Sequence, residues 1–110
     1  MTIDQNKKEI YDDVIAGIIK CLDNIAWEIW IMHEGDKLVF ICILNPEISP
    51  MVARHVSLAG YSMYLVGRNA MEKFPGTKIE VDYGVEAQDC VQKLRASDRT
   101  LLWHDGSKLY

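Results

Sequence analysis

The chain has 110 residues, with 12 Lys and Arg against 16 Asp and Glu, a net charge of −4, and 49% apolar residues. That length and balance describe one domain, 1–110, with a single core that buries roughly two thirds of the unfolded surface. They exclude a disordered chain and a miniprotein held by metal or disulfide staples. The longest apolar run, Leu38 to Leu44, is seven residues, far below the ~20 of a membrane-spanning helix.

In chain order, Ile10, Val14, Ile18, Cys21 and Ile25 recur at helical spacing, widened by Tyr11, Ile15 and Leu22. The pattern predicts an amphipathic helix over about 4–23, with Asp4 or Thr2 placed to cap it. The run Ile25 to His33 is rich in β-branched and aromatic residues and predicts a strand. Glu34-Gly35-Asp36-Lys37 reads as a tight polar turn, and Leu38 to Leu44, apolar at every position, reads as a strand covered on both faces.

Asn45-Pro46 breaks the strand. Ser49-Pro50 starts a long helix, since serine caps and proline at the first helical position sacrifices no needed donor. Its stripe is Val52, Val56, Ala59, Met63, Val66 or Gly67, Ala70 and Phe74. Gly60 and Gly67 each weaken a helix interior by about 1 kcal/mol, so they mark close packing on the sheet or a kink. Phe74-Pro75-Gly76 ends the helix.

Lys78 to Tyr83 alternates apolar and charged, so one face is buried and one is wet. After Gly84, the stripe Ala87, Cys90 or Val91, and Leu94 predicts a third helix to about Ser97. Leu101-Leu102-Trp103 starts another strand, and Asp105-Gly106 favours a two-residue hairpin turn that returns Lys108 to Tyr110 onto it. The expectation is an α+β domain with a mixed sheet of four to five strands and three helices, in the order α-β-β-α-β-α-β(-β).

Acid is concentrated in two segments: 1–36 carries a net −5 and 77–90 a net −3. A surface of this sign repels phosphates, and Arg54, Arg68, Lys93, Arg95 and Arg99 are scattered without interleaved aromatics, which speaks against nucleic acid as a partner. Cys21, Cys42 and Cys90 are odd in number and widely spaced. They read as small buried hydrophobes rather than a disulfide set or zinc site. The first residues show no basic start followed by an apolar run, so a cytoplasmic location is expected.

No motif dictates a chemistry. The histidines lack metal-ligand spacing. His104-Asp105 could pair an imidazole with a carboxylate, although Asp105 is accounted for by its turn. Lys78, Glu80 and Asp82 offer the residue types of a metal-dependent nuclease without a second supporting motif. Gly84 lacks the glycine pattern of a phosphate loop, and no cofactor is implied.

The most informative constellation is a recognition surface. With Ile25, Trp27, Ile29 and Ile31 turned inward, the other side of that strand presents Glu28, Trp30, Met32 and Glu34, apolar anchors framed by carboxylates. The sequence therefore points to a stoichiometric inhibitor of the immunity or antitoxin kind, without enzymatic activity, that neutralises a basic partner such as a nuclease toxin. Its expected contacts are Glu28, Trp30, Met32, Glu34 and Asp36, joined by Glu80, Asp82 and Glu86. The alternative is a small acidic secretion-type chaperone. A monomer or weak homodimer fits the inhibitor, and an obligate dimer fits the chaperone.

Overall fold

The computed structural model describes residues 5–22, 25–45, 51–84 and 99–110; for Gln5 and 51–59 the backbone alone is described. In chain order the elements are α1 (Gln5–Cys21), β1 (Ala26–Glu34), β2 (Lys37–Leu44), α2 (Met51–Lys73), β3 (Lys78–Gly84), β4 (Arg99–His104) and β5 (Ser107–Lys108). The five strands form one mixed sheet in the order β3-β2-β1-β4-β5. β2 and β3 are parallel and the other neighbours antiparallel. The domain is thus α+β, with two helices among the described residues; the third predicted helix, after Gly84, lies outside them.

The β1–β2 connection is a two-residue loop closed by the Glu34–Lys37 pair. Gly35 sits there at φ 65, a conformation that only glycine adopts without steric cost at the first position of such a hairpin. The β4–β5 hairpin uses Asp105 (φ 45) and Gly106 (φ 88). Two successive positive φ values define the turn whose twist matches paired strands, and Asp-Gly is among its favoured sequences.

α1 and α2 pack on one face of the sheet. The stripe Ile10, Tyr11, Val14, Ile15, Ile18 and Leu22 is buried against Ile29, Ile31, Phe40, Cys42 and Leu44, joined by Met63, Val66 and Ala70 of α2. Phe40 is wholly buried and meets the Tyr11 ring edge-on at 5.9 Å. α2 lies directly on β3. A methyl on Gly67 would stand 3.5 Å from the Ile79 carbonyl oxygen, and one on Gly60 would stand 3.3 Å from the Tyr83 hydroxyl. The approach is tight only at Gly60; at Gly67 a methyl would make ordinary van der Waals contact.

Cys21 departs from expectation: it is exposed, while Cys42 is buried as predicted. The apolar arc of α1 is wider than its sheet contact, so the edge of the arc falls in an open groove of about 540 Å³ between the helices, bordered by Gly17, Cys21, Leu65 and Asn69. Cys90 lies outside the described residues.

Candidate protein-binding face

Strand register decides which side chains share a face, because residues directly opposite one another point to the same side. Ile29 and Ile31 of β1 face the helices. Turned the other way are Met32 opposite Val39, Trp30 opposite Ile41, and Glu28 opposite Ile43. The parallel register sets Glu80 beside Val39 and Asp82 beside Ile41. On the other flank, Arg99 stands opposite Met32 and Leu101 opposite Trp30. Glu28, Trp30, Met32, Glu34, Glu80 and Asp82 therefore belong to one sheet face, with Asp36 in the turn at its corner. Glu86 lies outside the described residues.

The centre of this face is apolar and closed. Met32, Val39, Ile41 and Ile43 form a second buried cluster, against which Trp30 packs. Met32 is only 7% exposed, so it is not the surface anchor that the alternation in β1 suggested. Its register sets it opposite Val39, and it packs into one buried cluster with Val39, Ile41 and Ile43, against which Trp30 lies. Trp30 is half-buried, and its indole nitrogen is buried with no hydrogen-bond partner among the described residues. The Arg99 guanidinium lies 5.5 Å from the Trp30 ring centroid, a distance suited to cation–π attraction.

The charged rim is mixed. Lys37 Nζ donates to Glu80 Oε1 at 3.2 Å and stands 3.9 Å from Glu34 Oε2, and Lys78 Nζ stands 3.3 Å from Asp36 Oδ2. These pairs are solvated and each is worth about 0–1 kcal/mol. Their effect is to bind the start of β3 to the β1–β2 turn. Five carboxylates (Glu28, Glu34, Asp36, Glu80, Asp82) thus meet three cations (Lys37, Lys78, Arg99). Reading acids alone overlooked the cations, although Lys78 shares the alternation of Glu80 and Asp82, and Lys37 closes the turn opposite Glu34.

Elsewhere, His104 is half-buried, with its ring 4.8 Å from that of Trp27 in an edge-on contact. Asp105 occupies the left-handed turn position, and its backbone N–H donates to the Trp27 carbonyl at 2.9 Å. His33 is exposed at the end of β1. Among the described residues no three His, Cys, Asp or Glu side chains converge as a metal site requires.

At the opposite end, the Asp12 carboxylate accepts hydrogen bonds from the Tyr110 hydroxyl and, at 3.0 Å, from Lys108 Nζ. The Tyr110 bond, then the Lys108 bond, holds the Asp12 carboxyl below its ordinary range. Burial, reinforced by Asp12, pushes the Tyr110 phenol up. Tyr110 also meets Tyr11 edge-on at 5.5 Å, so this cluster fastens β5 to α1.

No protein-family model matches the chain, and no curated protein matches it. Among solved structures it is similar to the metal-bound C-terminal domain of the CzcD transporter from Thermotoga maritima. The identity is 11% and the TM-score 0.39, over 74% of this chain and 93% of that one. A likeness of that size carries neither fold nor function across. No helix among the described residues is long and apolar enough to cross a membrane.

Proposed function

We propose that the protein is a stoichiometric inhibitor of the immunity or antitoxin kind, which neutralises a basic enzyme such as a nuclease toxin by covering its cationic surface. The supporting observation is the register that gathers Glu28, Glu34, Glu80 and Asp82 onto one face, with Asp36 at its corner. A face with more acid than base speeds encounter with a cationic partner and disfavours wrong ones. The half-buried Trp30 adds apolar contact area near its centre. Met32 acts from beneath, by supporting Trp30, rather than by contact. Glu86, the next acid after β3, belongs to the same proposal. This reading assigns no enzymatic activity, cofactor, nucleic acid or membrane partner, and a monomer or weak homodimer. It places the chain in the cytoplasm, a reducing compartment that suits the exposed thiol of Cys21.

The test is association kinetics with a basic chain captured from native lysate, after circular dichroism has shown the variants folded. Charge reversal, Glu80→Lys with Asp82→Lys, should slow association most at low ionic strength, with the difference shrinking as salt screens it. Rates indifferent to both charge and salt would end the acidic-face reading. A second reading, a small secretion-type chaperone, draws on Tyr61, Tyr64 and Met71, which stand exposed on α2; it requires binding of an unfolded apolar segment by an obligate dimer.

A further inference from the structure

A helix resting on a sheet normally turns polar side chains outward. α2 buries Met63, Val66 and Ala70, yet on its outer side Tyr61 is 66%, Tyr64 61% and Met71 38% exposed. Arg68, exposed as well, completes the row. Its Nε stands 3.8 Å from Glu72 Oε1, a solvated contact that holds it only weakly. Residues 61, 64, 68 and 71 are spaced three, four and three apart, the intervals at which side chains line up along one side of a helix and form a seam for a second helix. Large apolar side chains gathered on a surface in this way mark an interaction site.

We infer that this row is a self-complementary interface, on which α2 of a second copy of the chain lies antiparallel about a twofold axis level with Val66. The spacing and chemistry of the row argue for a second copy as the occupant, because the order three, four, three reads the same in both directions. In that alignment Tyr61 of each chain meets Met71 of the other, and Tyr64 meets Arg68. A thioether sulfur is attracted to an aromatic ring and a guanidinium to the face of a tyrosine. All four residues thus find a favourable partner, and symmetry makes each contact twice. A parallel alignment would set Arg68 against Arg68, like charge on like. Shifting the antiparallel alignment by seven residues either way leaves only two of the four paired with one another. Such an isologous contact closes on itself and does not propagate into fibres. The candidate protein-binding face lies on the other side of the sheet from α2, so the pairing does not involve it.

This inference goes beyond the proposed partner and is tested on the chain alone, so its outcome is separate from that of the inhibitor reading. Sedimentation equilibrium over a concentration series should show a monomer–dimer equilibrium. Tyr64→Lys sets a lysine against Arg68 twice over and should weaken the dimer roughly tenfold or more, with circular dichroism showing the variant folded. The alignment is tested by two double variants. Positions 61 and 71 lie about 15 Å apart along one helix, too far for direct contact within a chain, but face each other across the proposed seam. Tyr61→Lys with Met71→Glu should therefore dimerise roughly tenfold more tightly at low ionic strength than Tyr61→Lys with Met71→Lys, since two attractions replace two repulsions. A chain that stays monomeric to about 1 mM, where even weak specific pairs associate, overturns the inference. So does a dimer indifferent to Tyr64→Lys, or a Lys–Glu double variant that associates no more tightly than the Lys–Lys one.

Discussion

Three helix glycines contact other elements, and the gap each leaves sets the sign of its replacement by alanine. Every Gly→Ala change inside a helix favours the helix by about 1 kcal/mol, so the outcome depends on what the new methyl meets. At Gly67 it would lie 3.5 Å from the Ile79 carbonyl oxygen and 3.6 Å from Val81 Cγ2, both ordinary contacts. Gly67→Ala should therefore stabilise the protein by about 0.5–1 kcal/mol. At Gly60 the nearest atom is the Tyr83 hydroxyl at 3.3 Å. The ring must give slightly, and the net change should stay within about 0.5 kcal/mol. At Gly17 the methyl would meet Val66 Cγ1 at 3.0 Å and Cγ2 at 3.3 Å. Valine is stiff about χ1 and Val66 is buried, so relief requires the helices to separate. Overpacking of about 1–3 kcal/mol then exceeds the helical gain, for a net loss of about 1 kcal/mol. Urea unfolding followed by circular dichroism measures all three, and each kcal/mol moves Tm by about 4–8 °C in a domain near this size. Gly67→Ala destabilising by more than about 1 kcal/mol, or Gly17→Ala stabilising, would refute the argument.

Other substitutions probe the remaining packing and charge. Phe40→Ala empties a fully buried site and should cost about 3–5 kcal/mol, read as a large fall in the denaturation midpoint. Gly106→Ala forces a side chain to φ 88 and should cost about 1–2 kcal/mol by the same measurement. Trp30→Phe removes a buried indole N–H that has no acceptor among the described residues; it should cost less than about 1.5 kcal/mol, whereas a loss above about 3 kcal/mol would show that the indole has a partner. The Asp12–Tyr110 bond predicts a stability profile with pH. A carboxylate with a lowered pKa contributes stability present above its unfolded pKa and lost as pH falls through the folded value. A phenol with a raised pKa contributes stability present below its unfolded pKa and lost as pH rises through the folded value. Tyr110→Phe should flatten both limbs in denaturation curves taken across pH, and should raise the Asp12 carboxyl pKa in an NMR titration.

Much of the architecture was legible residue by residue. The stripe of α1, the run of β1, the unbroken apolar β2, the alternation of β3 and the Asp105-Gly106 turn all depend on neighbours within one or two turns of chain. The candidate face was legible only in outline. Strand alternation separated Glu28, Trp30, Met32 and Glu34 from Ile29 and Ile31, but Met32 proved buried, because its exposure depends on Val39 across the strand pair rather than on its own strand. Cys21 shows the converse. It has the spacing of a core residue, yet lies at the edge of the α1 arc, where the neighbouring helix leaves a groove.

The order of polar and apolar residues by itself determined where the described helices, strands and turns lie and which side of each seeks the core, since hydrophobic periodicity and backbone preferences act over a few residues. Only the tertiary structure decided the strand order β3-β2-β1-β4-β5, the pairing of Lys37 with Glu80 and Lys78 with Asp36, and the sharing of one face by Trp30, Glu80 and Asp82. Apart from the two hairpins, those relations join residues about forty or more positions apart. They arise when the sheet closes around its core, through interactions that no local pattern encodes.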